Sequence, residues 1–191
     1  TFSNIAESET LFRLGLVAFL VIFVLDVGIA WGLHLVFEQV SRQVSLVAAW
    51  FRLVYTVFLG VAAIFFFLAL ELVSDAGHLS AFAQAQLESQ VTLAVNAFNY
   101  TWLIGLLAFG VHLALISYLM MRSGAVSRVF AALLAIAGAA YVIDTTAFSL
   151  LSNYGDYADA FLAMVAVPSV VAELGFTVWL LRGGFRSRIN A

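Results

Sequence analysis

The chain has 191 residues, of which 64% are hydrophobic and only 10% charged, with a mean hydropathy of +1.08 and a net charge of −3. That balance excludes an ordinary soluble domain and marks a membrane protein. There is no cysteine and no lysine, and the eight basic residues are all arginines scattered along the chain, so disulfides, thiol chemistry and a nucleic-acid-binding stripe are excluded together.

At about 20 apolar residues per crossing, the length allows roughly five to seven spans in one domain. Long apolar windows bounded by polar residues give five, in an all-α transmembrane helix bundle that fills residues 1–191 as a single domain. The first runs from about Ser8 to Glu38, where "SETLFRLG" offers Ser8 or Thr10 as a cap and Glu7 and Glu9 for the positive end of the helix dipole. The second covers about 44–73 and the third about 91–121. The fourth, about 126–151, opens after "RSGAVSR", and the fifth, about 157–181, stops at "RGGFRSR". Between the second and third, Leu79, Phe82, Ala83 and Leu87 recur at helical spacing, which fits a short surface helix or an extension of the third span.

Short cytoplasmic loops retain arginine. Arg42 lies in the first connection, Arg122 and Arg128 in the third, and Arg182, Arg186 and Arg188 in the tail, whereas the second and fourth connections hold no arginine or lysine. The expected orientation in a bacterial inner membrane is therefore N-terminus outside and C-terminus cytoplasmic. The chain opens on Thr1, and an outside start without a signal segment is most simply explained by a further helix upstream.

Two features read as packing devices: Gly28 and Gly32, a G-x-x-x-G in the first span, and Ala131, Ala135 and Ala139 at i, i+4 spacing in the fourth. Pro168 lies inside the fifth span, where it removes the amide that would bond to Met164 and is expected to bend the helix just before Glu173.

Counting about 1.5 Å per residue from the inner ends puts Asp26, Arg52, His112 and Glu173 at depths of roughly 18, 12, 15 and 13 Å, within one slab. A lone charge there costs about 3 kcal/mol on insertion scales, so these residues are expected to form a buried polar layer in which Arg52 pairs with Asp26 or Glu173. Arg13, Glu71, Asn96 and Asn99 fall near the outer surface at roughly 35–40 Å, with Asp144 at about 24 Å between the two groups. Asp144 has no basic residue at its depth, and is expected to be protonated, bonded to the third helix or bound to a cation. A haem held by His34 and His112 is disfavoured by a depth difference of about 9 Å. No metal site, zinc-protease, serine-hydrolase, phosphate-loop or dinucleotide motif occurs, so no catalytic residue is assigned and no cofactor is expected beyond contacts with lipid or a pigment.

The blocks "SETLFRLGLVAFLVIFVLDV", "LVAAWFRLVYTVFLGV", "FNYTWLIGLLAFGVHLALISYLMMRSG", "SRVFAALLAIAGAAYVID" and "AELGFTVWLL" resemble successive blocks of the prokaryotic membrane family termed domain of unknown function 4386. The resemblance implies six spans, with a first helix preceding Thr1, and the recurring polar positions of the family match Arg13, Asp26, Arg52, His112, Asp144 and Glu173. Where the family often carries a proline before the arginine of the third connection, this chain has Ser127. The resemblance implies no activity. The leading reading is a non-catalytic subunit or assembly partner that packs against other membrane proteins and lipid. The alternative is a small proton- or cation-coupled transporter that uses the buried polar layer.

Overall fold

The computed structural model describes residues 1–74, 77–124 and 126–182. Arg186 and Arg188 of the tail lie outside the described residues. The described chain is helical: α1 (Phe2–Glu7), α2 (Glu9–Val73), a 3-10 helix at Gly77–Ala81, α3 (Gln84–Ser123), α4 (Arg128–Leu150), a second 3-10 helix at Tyr154–Tyr157, and α5 (Ala158–Leu181). Four helical segments are long and apolar enough to cross a membrane: Glu9–Val73, Gln84–Ser123, Arg128–Leu150 and Tyr154–Leu181.

The first of these doubles back on itself. Ser41 has extended backbone angles (φ −163°, ψ 106°) inside α2. Its hydroxyl accepts from the Val44 amide at 3.5 Å, so one residue ends the first arm and caps the second. His34 Nδ1 lies 2.9 Å from Ser45 Oγ although the two are 11 residues apart. In a straight helix that spacing is about 16 Å of rise, so the bond exists only because the chain reverses between them.

Ser8 is the residue before α2, but its side chain makes no capping bond, contrary to the expected cap. α1 precedes it, and Glu9 instead meets Arg13 at 2.6 Å on the exposed face. In the connection after the second arm, Gly77–Ala81 is a 3-10 helix and α3 starts at Gln84, so the extension reading holds for the residues just before Val91. α3 is followed by Gly124 at φ +61°, a left-handed turn that favours glycine. Ser127 then caps α4 by accepting from the Val129 amide at 3.3 Å.

The chain divides into two compact units, Thr1–Val27 with Thr56–Gly105, and Gly28–Tyr55 with Leu106–Ala191. The first is held by aromatic packing. Phe66 stacks on Phe98 with centroids 3.8 Å apart, and Phe12 and Phe19 meet Phe66 edge-on. Gly60 is small there for a reason, because a Cβ would lie 2.7 Å from the Phe23 ring.

In the second unit α3 and α4 approach at Gly110 and Gly138. A Cβ on either would fall 2.6 Å from the other's carbonyl oxygen. Ser117 Oγ donates to the Ala131 carbonyl at 2.6 Å along the same seam. α4 therefore buries Ala131, Leu134, Gly138 and Thr145, at i, i+3, i+7 and i+14. The expected Ala131, Ala135, Ala139 stack is corrected by this seam, since Ala139 is exposed and Ala135 only half-buried. A Cβ at Gly28 or Gly32 meets nothing within 4 Å among the described residues, so no close approach within this chain uses that pair. Gly175 of α5 lies instead against the Phe130 ring.

Candidate functional site

The second arm of α2 presents Ser45, Ala48, Ala49, Arg52 and Tyr55 on one side, and all but Arg52 are buried. Arg52 is half-buried. On α3, Phe109 and His112 are one turn apart and stack with ring centroids 5.7 Å apart, and both are buried. On α5, Glu173 is half-buried and follows the buried Ser169 and Ala172.

His112 determines the geometry. Its Nδ1 is 2.8 Å from the Ala48 carbonyl oxygen. A carbonyl only accepts, so Nδ1 carries the hydrogen. Its Nε2 is 3.3 Å from Arg52 Nη1, and a guanidinium only donates, so Nε2 receives. His112 is thus a neutral imidazole with both nitrogens engaged, one on α2 backbone and the other on the arginine. The Arg52 Cζ also lies 5.4 Å from the Phe109 ring centroid, which offers a favourable face to a cation.

Arg52, His112 and Glu173 line one cavity of about 140 Å³. Thr177 adds a hydroxyl, and Leu33, Leu134 and Phe176 supply apolar wall. Three of the four residues expected to form the deep polar layer therefore line one cavity, from three different stretches of helix. Asp26 belongs to the first unit, where it is buried at 2% exposure.

The outer group is dispersed in kind. Arg13 and Glu9 form a pair with both side chains about half exposed, and Glu71 is exposed. Asn99 is exposed and Asn96 half-buried. Asp144 has a partner that the sequence reading did not include, since it accepts from the Tyr154 hydroxyl at 2.6 Å across the connection to α5. His34 is buried, with Nδ1 on Ser45 and Nε2 3.9 Å from Glu38, as a packing histidine beside the bend. Among the described residues no group of three or more His, Asp or Glu side chains is arranged to hold a metal ion.

Sequence reasoning missed Phe109 and Thr177. Their signal was present in spacing: Phe109 precedes His112 by one helical turn, and Thr177 follows Glu173 by one.

The family described as domain of unknown function DUF4386 matches residues 1–184, nearly the whole chain. The chain belongs to the DUF4386 family. This DUF4386 chain is also similar to an uncharacterized protein of Archaeoglobus fulgidus, 28% identical over 169 residues that cover 88% of this chain and 83% of the relative. No solved structure matches it.

Proposed function

We propose that this DUF4386 protein crosses the plasma membrane five times within the described chain and acts as a small proton-coupled carrier at the Arg52, His112 and Glu173 cavity. The fifth crossing comes from the bend at Ser41, which divides a 65-residue helix into two arms. Each arm is about 45 Å or more in length, enough to cross the roughly 30 Å hydrocarbon core. Arginine placement favours Arg42, Arg122 and Arg128 on the cytoplasmic side.

One observation carries the carrier reading: three ionisable side chains from separate stretches of helix converge on open space inside apolar spans. An intramembrane charge is costly, and a subunit that only packs has no use for a cavity beside it. The test is purified protein in liposomes containing a pH-sensitive dye, with small organic acids, amines and salts supplied outside in turn so that a coupled proton can move. An imposed gradient is expected to collapse faster than in protein-free vesicles, and Glu173→Gln is expected to remove that difference while leaving the protein folded. Wild-type vesicles no leakier than empty ones would defeat the reading.

A second reading, a subunit of a larger membrane assembly, is favoured by the open small face at Gly28 and Gly32. Close helix packing is what such a face suits. A stoichiometric partner in mild detergent, released by Gly32→Leu, would support it. Recovery of the chain alone, unaffected by that change, would count against it.

A further inference from the structure

The last turns of α5 carry a groove that differs from the cavity above in place and in chemistry. Leu174, Gly175, Val178, Trp179 and Arg182 fall at i, i+1, i+4, i+5 and i+8, a single stripe along the helix. With Phe130 of α4 they line a groove of about 400 Å³. Its notch is at Gly175, where a Cβ would collide with the Phe130 ring, and Leu174 and Val178 are exposed along it. The aromatic wall is braced, since Trp179 stacks on Phe176 with centroids 5.9 Å apart and Phe176 on Phe37 at 6.3 Å.

We propose that this groove holds an anionic phospholipid of the cytoplasmic leaflet, with one acyl chain along the stripe and the headgroup phosphate on Arg182. Its side of the membrane follows from the arginine placement above, and the carrier reading plays no part in it. From Leu174 to Arg182 the helix rises roughly 12 Å, close to the depth of one leaflet, which is half of the roughly 30 Å hydrocarbon core. A chain lying there starts near the middle of the membrane and reaches the headgroup level at the guanidinium. Trp179, one turn before that end, is the residue type that settles at the interface.

Charge completes the match. Every wall of the groove short of Arg182 is apolar, and no carboxylate is among them. Arg182 is exposed and enters no ion pair or side-chain hydrogen bond among the described residues. Glu173 lines the other cavity and lies roughly 13 Å from Arg182 along the helix. Glu38, beside the bend, is 3.9 Å from His34. The sequence that follows, "GGFRSRINA", adds two arginines and no aspartate or glutamate. An apolar slot that ends on an unopposed cation has the plan of a phospholipid, and a guanidinium presents two N–H groups side by side to a phosphate. A zwitterionic headgroup brings its own cation to offset that attraction, whereas an anionic one does not. The preference for the anionic lipid is then about fivefold, the usual worth of one arginine at a charged membrane surface.

The test is quenching of tryptophan fluorescence in vesicles of phosphatidylglycerol and phosphatidylcholine in equal parts, with bromine on the acyl chains of one lipid or the other. Trp31→Phe, Trp50→Phe and Trp102→Phe together leave Trp179 as the reporter, and a companion that keeps the exposed Trp31 alone reports on lipid-facing surface at large. At Trp179 phosphatidylglycerol is expected to be favoured about fivefold, while at Trp31 neither lipid is favoured. Arg182→Gln is expected to abolish the preference and Arg182→Lys to keep most of it, and an exposed residue at a helix end can be exchanged without loss of the fold. Inorganic phosphate at matched ionic strength is expected to change nothing. The unaltered chain supplies a second measurement, since native mass spectrometry from mixed micelles is expected to show phosphatidylglycerol retained over phosphatidylcholine. Equal retention, no preference at Trp179, or a preference that survives Arg182→Gln would overturn the proposal. The same preference at Trp31 would reduce it to general surface charge and overturn the site. Quenching of Trp179 by neither lipid would mean that a second copy or another protein covers the groove, and displacement by inorganic phosphate would make it a site for the free ion; either result overturns the lipid.

Discussion

Replacing His112 with alanine removes a hydrogen bond to the Ala48 carbonyl and another from Arg52, and leaves a hole where a fully buried ring had been. The expected loss is about 3 kcal/mol, the usual size for a buried side chain that also leaves a polar neighbour unsatisfied. Thermal unfolding in detergent reads it as a fall in Tm of about 6–12 °C. A shift within a degree would mean that the ring does not hold the arginine. Tyr154→Phe makes a smaller demand, because the half-exposed hydroxyl loses only its bond to Asp144. About 1 kcal/mol is expected, measured in the same way. Arg52, His112 and Glu173 were legible in the sequence because a charge or an imidazole inside an apolar run is conspicuous, and rise per residue places it in depth. Depth says nothing of azimuth, so the sequence could not tell that Glu173 shares the arginine's cavity. Thr177 and Phe109 escaped notice because a threonine and a phenylalanine look ordinary in a membrane helix.

Helix extents were readable to within a few residues for α4 and α5, since the length of an apolar run decides them. The contact faces were not readable. A helix that is apolar all round has no stripe to point inward, so α4 gave no sign that Gly138 rather than Ala139 faces α3. The glycines that matter sit singly on different helices, Gly110 on α3 and Gly138 on α4, and no local spacing pairs them. The spaced pair, Gly28 and Gly32, has open surroundings instead. These positions therefore differ in their response to one methyl group. Gly138→Ala places a Cβ against backbone, which cannot give way as a side chain does, and is expected to cost about 1–3 kcal/mol. Gly28→Ala adds a methyl group to open space and is expected to be neutral or slightly stabilising, since alanine favours helix. Equal thermal shifts for the two variants would contradict the α3–α4 seam.

The absence of cysteine from residues 1–191 makes their path directly testable, because each introduced thiol is then the sole one among them. Gln43, Ser80, Arg128 and Ser152 are exposed and lie in or beside successive connections. With five crossings, Gln43→Cys and Arg128→Cys are expected to react with an impermeant maleimide only after the cells are opened, whereas Ser80→Cys and Ser152→Cys react in intact cells. Labelling of Gln43→Cys and Ser80→Cys from the same side would remove one crossing. The bend between the first two arms also governs how the gene tolerates changes in length. The His34 tie to Ser45 pins the angular phase of the second arm, and Ser45, Ala48 and Arg52 follow along one line of it. A single codon inserted between Ser45 and Arg52 would swing the guanidinium through about 100°. The same insertion at the exposed Phe82 would be absorbed without reaching it, so viable indels should be scarce in the short stretch after the bend and common in the long connection before α3.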